Sequence, residues 1–197
     1  MSTPPKPRLT VDEYLANEET AEVKSEFYQG EIFAMSRGTV EHGIIANNTG
    51  AHLRELLRGK GCVVCNSDVK VHTPRTGLFT YPDVIVVCGE IRCLGQKRST
   101  LLNPTIIVEV LSPGTEAYDR GRKFEHYQSI ESLREYVLIA SDRISVMVHQ
   151  RHSDCQWLTR TVTTLDGSIE LESIACRLML REVYDNVVFR PEEAAAG

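Results

Sequence analysis

The chain has 197 residues, 42% of them apolar and 25% charged, and a formal net charge of −5. That length suits one well-buried core and is short for two, and the composition is that of an ordinary globular protein. No apolar run approaches the roughly 20 residues needed to span a bilayer, and the basic start over residues 1–8 has no apolar stretch behind it, so it lacks the form of a secretory signal. The expectation is a cytoplasmic protein without membrane contact. A disordered arm is expected over 1–9, one domain over 10–189 and a disordered tail over 190–197.

Thr10-Val-Asp-Glu13 has the form of a capping box and predicts a short helix to about Asn17. Residues 23–35 read as two strands turned at Gln29-Gly30. Ile44, Ile45, Leu53, Leu56 and Leu57 recur at helical spacing over 40–58, and Gly59 and Gly61 stop that helix. Val63-Val64 and Val69 to Val71 read as one bulged strand or two, followed by a loop at 74–77. Two short runs, Asp83-Val-Ile-Val-Val-Cys88 and Thr105-Ile-Ile-Val-Glu-Val-Leu111, are apolar on both faces, as central strands are. After Ser112-Pro-Gly, Thr115 is placed to cap a helix to about Ser129. A hairpin around 141–143, a strand near 157–162, a turn at Asp166-Gly167 and a mixed segment to Phe189 complete the pattern. Strands and helices alternate irregularly, which predicts an α/β domain with a mixed sheet.

Six cysteines do not make a disulfide scaffold in a chain of this size. Cys62 and Cys65 form an isolated C-x-x-C on a strand, where residues three apart point to opposite faces. Free thiols without a shared metal are expected there. Charge is uneven. Residues 1–31 hold Asp12, Glu13, Glu18, Glu19, Glu22, Glu26 and Glu31 against Lys6, Arg8 and Lys24, whereas 92–123 hold Arg92, Lys97, Arg98, Arg120, Arg122 and Lys123 against Glu109, Glu116 and Asp119. This basic excess is expected around the site described next, or else is ordinary solvated surface charge.

Glu109 stands inside Ile106-Ile-Val-Glu-Val-Leu111, where a lone carboxylate would lose its hydration and needs a partner, a metal or a raised pKa. Gln96 lies midway between 83 and 109. A hairpin folded about it sets Asp83 opposite Glu109, with Cβ atoms about 5 Å apart. Two carboxylates that close repel unless a cation or proton intervenes, and hard oxygen ligands suit Mg²⁺ or Mn²⁺. Taken alone, Pro82-Asp83 is also an ordinary turn signal. In the following helix Asp119, Lys123 and Tyr127 are one turn apart and share a face. The break at Ser112-Pro113-Gly114 lets that face fold back toward Glu109. Lys123 there would hold a hydroxide nucleophile or offset charge on a phosphorane-like transition state.

Tyr81-Pro82-Asp83-Val84-Ile85-Val86-Val87, Val108-Glu109-Val110-Leu111-Ser112-Pro113, Thr115, Tyr118-Asp119-Arg120, Lys123 and Tyr127 together resemble the Uma-type restriction endonuclease family, of the PD-(D/E)XK nuclease superfamily. The resemblance covers about residues 10–187 and extends to Glu26, Gly30, His42 and Arg134-Glu135-Tyr136. It implies a restriction-endonuclease-like fold, a central mixed sheet flanked by helices. It also implies Asp83 and Glu109 as catalytic metal carboxylates, the Val110 backbone carbonyl as a further metal ligand, and Mg²⁺ or Mn²⁺ as the metal. Leu111 stands where the superfamily's E-x-K places lysine, so Lys123 is expected to take that role, with Glu26 and His42 as helpers. DNA is the implied substrate, a homodimer the implied assembly by analogy, and no organic cofactor is called for. The competing readings are a catalytically inactive nuclease-fold module that binds nucleic acid or protein, and an unrelated enzyme using the carboxylate pair for acid–base work. No G-x-S-x-G or phosphate-binding glycine loop supports the last.

Overall fold

In the computed structural model the described residues are 8–35, 38–153 and 156–189. The expected arm at 1–9, apart from residues 8 and 9, and the expected tail at 190–197 lie outside them. The Thr10 capping box forms as read, with the Thr10 hydroxyl accepting from the Glu13 amide and the Glu13 carboxylate accepting from the Thr10 amide, and it opens α1 (Val11–Glu18). Strands β1 (Ser25–Tyr28) and β2 (Glu31–Ala34) turn at Gln29 and Gly30, whose φ values of 51° and 86° lie in the left-handed region that a tight hairpin requires. Thr39 caps α2 (Val40–Leu56), and Ile45, Thr49 and Leu53 form its buried face at four-residue spacing.

The 63–71 region resolves into two strands, β3 (Cys62–Asn66) and β4 (Lys70–Thr73). They belong to different sheets. A three-residue strand too short to read from periodicity, β5 (Leu78–Thr80), follows. Next come β6 (Val84–Cys88), the two-residue β7 (Thr100–Leu101) and β8 (Ile106–Leu111). The connection between β6 and β8 is therefore more than a loop, because β7 pairs in parallel with β4. The segment after β8 departs from the single regular helix expected over 115–129. It is α3 (Glu116–Tyr118), a π-helical turn (Asp119–Lys123) and α4 (Phe124–Gln128). Thr115 makes no capping bond to this helix; its hydroxyl lies 3.0 Å from that of Ser112 instead. The buried Tyr136 hydroxyl donates to the Asp119 carbonyl at 3.0 Å, a side chain reaching into the widened turn.

β9 (Glu135–Ala140), β10 (Val146–Ser153) and β11 (Gln156–Val162) complete a six-stranded sheet of order β11-β10-β9-β8-β6-β3, in which β8 and β9 run parallel and the other neighbours antiparallel. The second sheet has the order β2-β1-β5-β4-β7. A small hairpin, β12 (Ser168–Leu171) with β13 (Cys176–Met179), and α5 (Leu180–Val183) close the fold. Every residue of β8 and β9 is buried, because both faces of the large sheet are covered. On one face Val84, Val86, Ile106 and Val108 pack under Ile45 and Leu53 of α2 and under Leu171 and Leu178. On the other, Ile85, Val87, Ile107 and Leu111 pack under Tyr127, Ile130 and Leu133 and against Val71 and Leu101 of the second sheet. Strand alternation puts Glu109 on this second face, between Ile107 and Leu111.

One cysteine expectation is corrected. Cys62 and Cys88 occupy directly paired positions of β3 and β6 and form a disulfide, while Cys65 is a free thiol. The alternation argument separated Cys62 from Cys65 but did not reveal the cross-strand partner, which depends on register. Among the described residues no helix is long and apolar enough to cross a membrane.

Candidate active site

Strands β6 and β8 pair as Val84–Val108, Ile85–Ile107 and Val86–Ile106, the register of a hairpin centred on Gln96. Continuing it by one residue sets Asp83 against Glu109. There the strand ladder ends, and the Asp83 carboxylate takes over the Val110 amide at 2.7 Å. The same carboxylate oxygen, Oδ2, lies 3.4 Å from Nε2 of His42. His42 sits in the first turn of α2, and Gly38 leaves it room: a Cβ at 38 would meet the ring Nδ1 at 2.8 Å. Burial works against the charged imidazole, but the hydrogen bond and charge of Asp83, with the Val110 carbonyl facing the ring, outweigh it and raise the His42 pKa.

Glu109 is only 4% exposed. Its Oε1 accepts from the Tyr127 hydroxyl at 2.8 Å and lies 2.9 Å from the Lys123 ammonium. That ammonium also meets Glu26 at 3.0 Å and Asp119 at 3.3 Å. Glu26, from β1, is held further by the hydroxyls of Thr80 and Tyr118. Burial pushes the Glu109 carboxyl up to about 8; Lys123 opposes this, and the negative charges of Asp119 and Asp83 reinforce it. Burial disfavours the Lys123 ammonium too, yet Glu109, Glu26 and Asp119 more than compensate and hold it protonated. Lys123 is therefore a fixed cation, not a base. Tyr127, its pKa raised by burial and by the charge of Glu109, stays a hydrogen-bond donor.

All of these groups except Tyr127 and Thr80 border one cavity of about 910 Å³ between the two sheets, α2 and the 116–128 helical segment. The structure thus brings Asp83, Glu109, Val110, Lys123, Glu26 and His42 together. Leu111, at the position where E-x-K would put lysine, is 2% exposed and part of the apolar face packed against Tyr127. A lysine there would break that core, so the cation comes from the helix. Four supporting residues were not assigned a role from the sequence: Asp119, Tyr127, Tyr118 and Thr80. The first two were visible as the face shared with Lys123, Tyr118 adjoins Asp119, and Thr80 had no signal because its strand was missed. The basic excess over 92–123 does not surround the site as one reading held. Of those six bases only Arg122 and Lys123 border the cavity; Lys97 pairs with Glu19 and Arg120 with Glu116.

A mixed sheet with an acidic pair at the end of adjacent strands and a buried lysine beside it defines a restriction-endonuclease-like protein. The comparisons agree. The crystal structure of a "putative nuclease" from Anabaena variabilis superposes with a TM-score of 0.73 at 17% identity, covering 91% of this chain and 99% of that one, and the likeness bears out the expected fold. The chain belongs to the Uma2 family, described as "Putative restriction endonuclease", whose pattern matches residues 11–180. Two uncharacterized proteins of Synechocystis sp. are 34% identical over 187 residues and 32% identical over 162, covering 94% and 82% of this chain and 96% and 92% of their own lengths. Family and fold together support a nuclease in general terms.

Proposed function

We propose that this protein is a cytoplasmic, divalent-metal-dependent endonuclease that hydrolyses phosphodiester bonds in DNA, with one nuclease domain over 10–189 and a homodimer as its assembly. The observation that carries this reading is the convergence of Asp83, Glu109 and a buried, protonated Lys123 on a single cavity. A cation fits the donor set. Glu26, Asp83, Glu109 and Asp119 outnumber the Lys123 and His42 they touch, and burial, reinforced by the charges of Asp119 and Asp83, leaves Glu109 with a raised pKa that a metal would relieve. Among the described residues no three His, Cys, Asp or Glu side chains form a ready-made metal site. The ligands proposed are therefore Asp83, Glu109 and the Val110 carbonyl, completed by water, and all-oxygen donors favour Mg²⁺ or Mn²⁺.

When bound, such an ion supplies Lewis acidity and an acidified water. The chain's own groups do the rest. The Val110 amide fixes the rotation of Asp83, and the Tyr127 hydroxyl fixes Glu109, so the pair is preorganised. Lys123 offsets charge growing on the phosphate oxygens, while Glu26 and Asp119 keep it protonated and aimed. His42 stands beside Asp83, where its ring can donate to a phosphate oxygen.

One observation favours the inactive-module reading: Lys123 is already engaged by three carboxylates. A cleavage assay on plasmid DNA and on single-stranded DNA with Mg²⁺, Mn²⁺ or EDTA separates the two. Cleavage is expected with either metal and none with EDTA. Asp83→Asn keeps an acceptor for the Val110 amide, so it is expected to fold and yet lose cleavage. Lys123→Ala should also lose cleavage, with about 3–5 kcal/mol of stability lost because buried carboxylates are left uncompensated. Metal-independent cleavage, or wild-type rates in Asp83→Asn, would overturn the assignment, and absence of cleavage with both metals would favour the module.

A further inference from the structure

The β1–β2 hairpin pairs Glu26 directly with Phe33, and directly opposed residues of an antiparallel pair project from the same face. Glu26 touches Lys123 at 3.0 Å, so the Phe33 side chain stands beside the charge cluster and borders the same cavity. It is nevertheless 49% exposed, on an edge strand whose four residues are all exposed. Tyr28, two residues from Glu26 and so on the same face, also borders the cavity. Its ring is braced by His126 at 4.7 Å, and the Arg122 guanidinium lies 5.4 Å from its centroid. One wall of the cleft is therefore aromatic, with a basic rim at Arg122 and the Lys123 cluster at its foot.

We propose, building on the nuclease reading, that this cleft takes an unpaired DNA strand, with a base stacked on Phe33 and the backbone drawn past Arg122 toward Lys123. Size argues for one strand. A cavity of about 910 Å³ is in the range that encloses small ligands, so it can take in a base and its neighbouring backbone but cannot enclose a duplex. Charge argues the same way. Duplex binding rests on many Lys and Arg contacts to phosphate, while this chain carries −5 and, among the described residues, places only Lys24, Arg122 and Lys123 of its lysines and arginines on the cleft. Lys24 is already paired with Asp68, and Lys123 is engaged as described. Stacking on aromatic faces adds affinity beyond the charge contacts, and it requires bases that are not paired.

The test is fluorescence anisotropy of one labelled oligonucleotide of mixed sequence, single-stranded or annealed as a blunt duplex, at fixed salt with Ca²⁺ replacing Mg²⁺. The single strand is expected to bind at least about tenfold more tightly. Phe33→Ala, at a half-exposed position that tolerates truncation, should weaken single-strand binding about tenfold, in line with the effect of removing one stacking platform. Phe33→Trp should restore it, and Ile32→Ala on the opposite face should leave it unchanged. Equal or tighter duplex binding, or wild-type affinity in Phe33→Ala, overturns the inference. Single-strand preference without cleavage in Mg²⁺ or Mn²⁺ would strike the nuclease reading while upholding this one; cleavage without that preference would do the reverse.

Discussion

Two glutamates stand inside adjacent, fully buried strands, and the structure treats them differently. Glu109 lies in β8, and Glu135 opens β9, where it pairs with Ile106. Glu135 is 0% exposed, and its carboxylate accepts from the Ser173 hydroxyl and, at 3.4 Å, from the Ser173 amide. Burial raises its pKa and those hydrogen bonds hold it down, so it is closed off by neutral donors. Glu109 instead meets a lysine and a tyrosine, feels two further carboxylates and faces a cavity. A buried carboxylate is thus not by itself a site. What distinguishes the two is the surrounding charge and the access to a space that a substrate can enter.

The sharpest way to break that comparison is to neutralise each glutamate in turn. Glu109→Gln is expected to lower cleavage by more than about 100-fold, since even groups that merely support metal ligands contribute 10–100-fold. A plasmid assay in Mg²⁺ measures it, and a near-normal rate would remove Glu109 from the site. A pH series sharpens the point. Because the folded Glu109 pKa of about 8 exceeds its ordinary value of 4.5, the folded state binds more protons than the unfolded state between those limits. Stability in metal-free buffer should therefore fall as pH rises through that window, and the fall should be smaller in Glu109→Gln. Metal affinity should run the opposite way, rising by up to about tenfold per pH unit below 8 and levelling above it, because the proton must leave before the ion binds. Calorimetric titration with Mn²⁺ at three pH values checks this, and a flat profile would contradict it. The smallest effect belongs to Glu135→Gln. An amide can still accept from Ser173, so cleavage should stay at the wild-type level and stability within about 1 kcal/mol by urea unfolding.

Much of this protein is local enough to be legible in its sequence. The Thr10 capping box, the Gln29-Gly30 hairpin and the face of α2 rest on side chains a few residues apart, so short-range chemistry determines them. The pairing of Asp83 with Glu109 was legible too, because a hairpin between neighbouring strands leaves one simple register, and the structure has it. Lys123 was reachable from the apolar Leu111 and the helical spacing of Asp119, Lys123 and Tyr127. Tertiary structure decided the rest. Cys62 meets Cys88, Ser173 closes off Glu135, and Glu26 reaches Lys123 across 97 positions of sequence, each by sheet pairing or packing that no local pattern encodes. The π-helical turn is of the same kind, since that winding is rare in helices left to themselves and here a long-range contact, from Tyr136 to the Asp119 carbonyl, engages the widened turn. Sequence by itself determined which residues had to find partners; the fold decided which partners they found, because only the folded chain sets distances between distant residues.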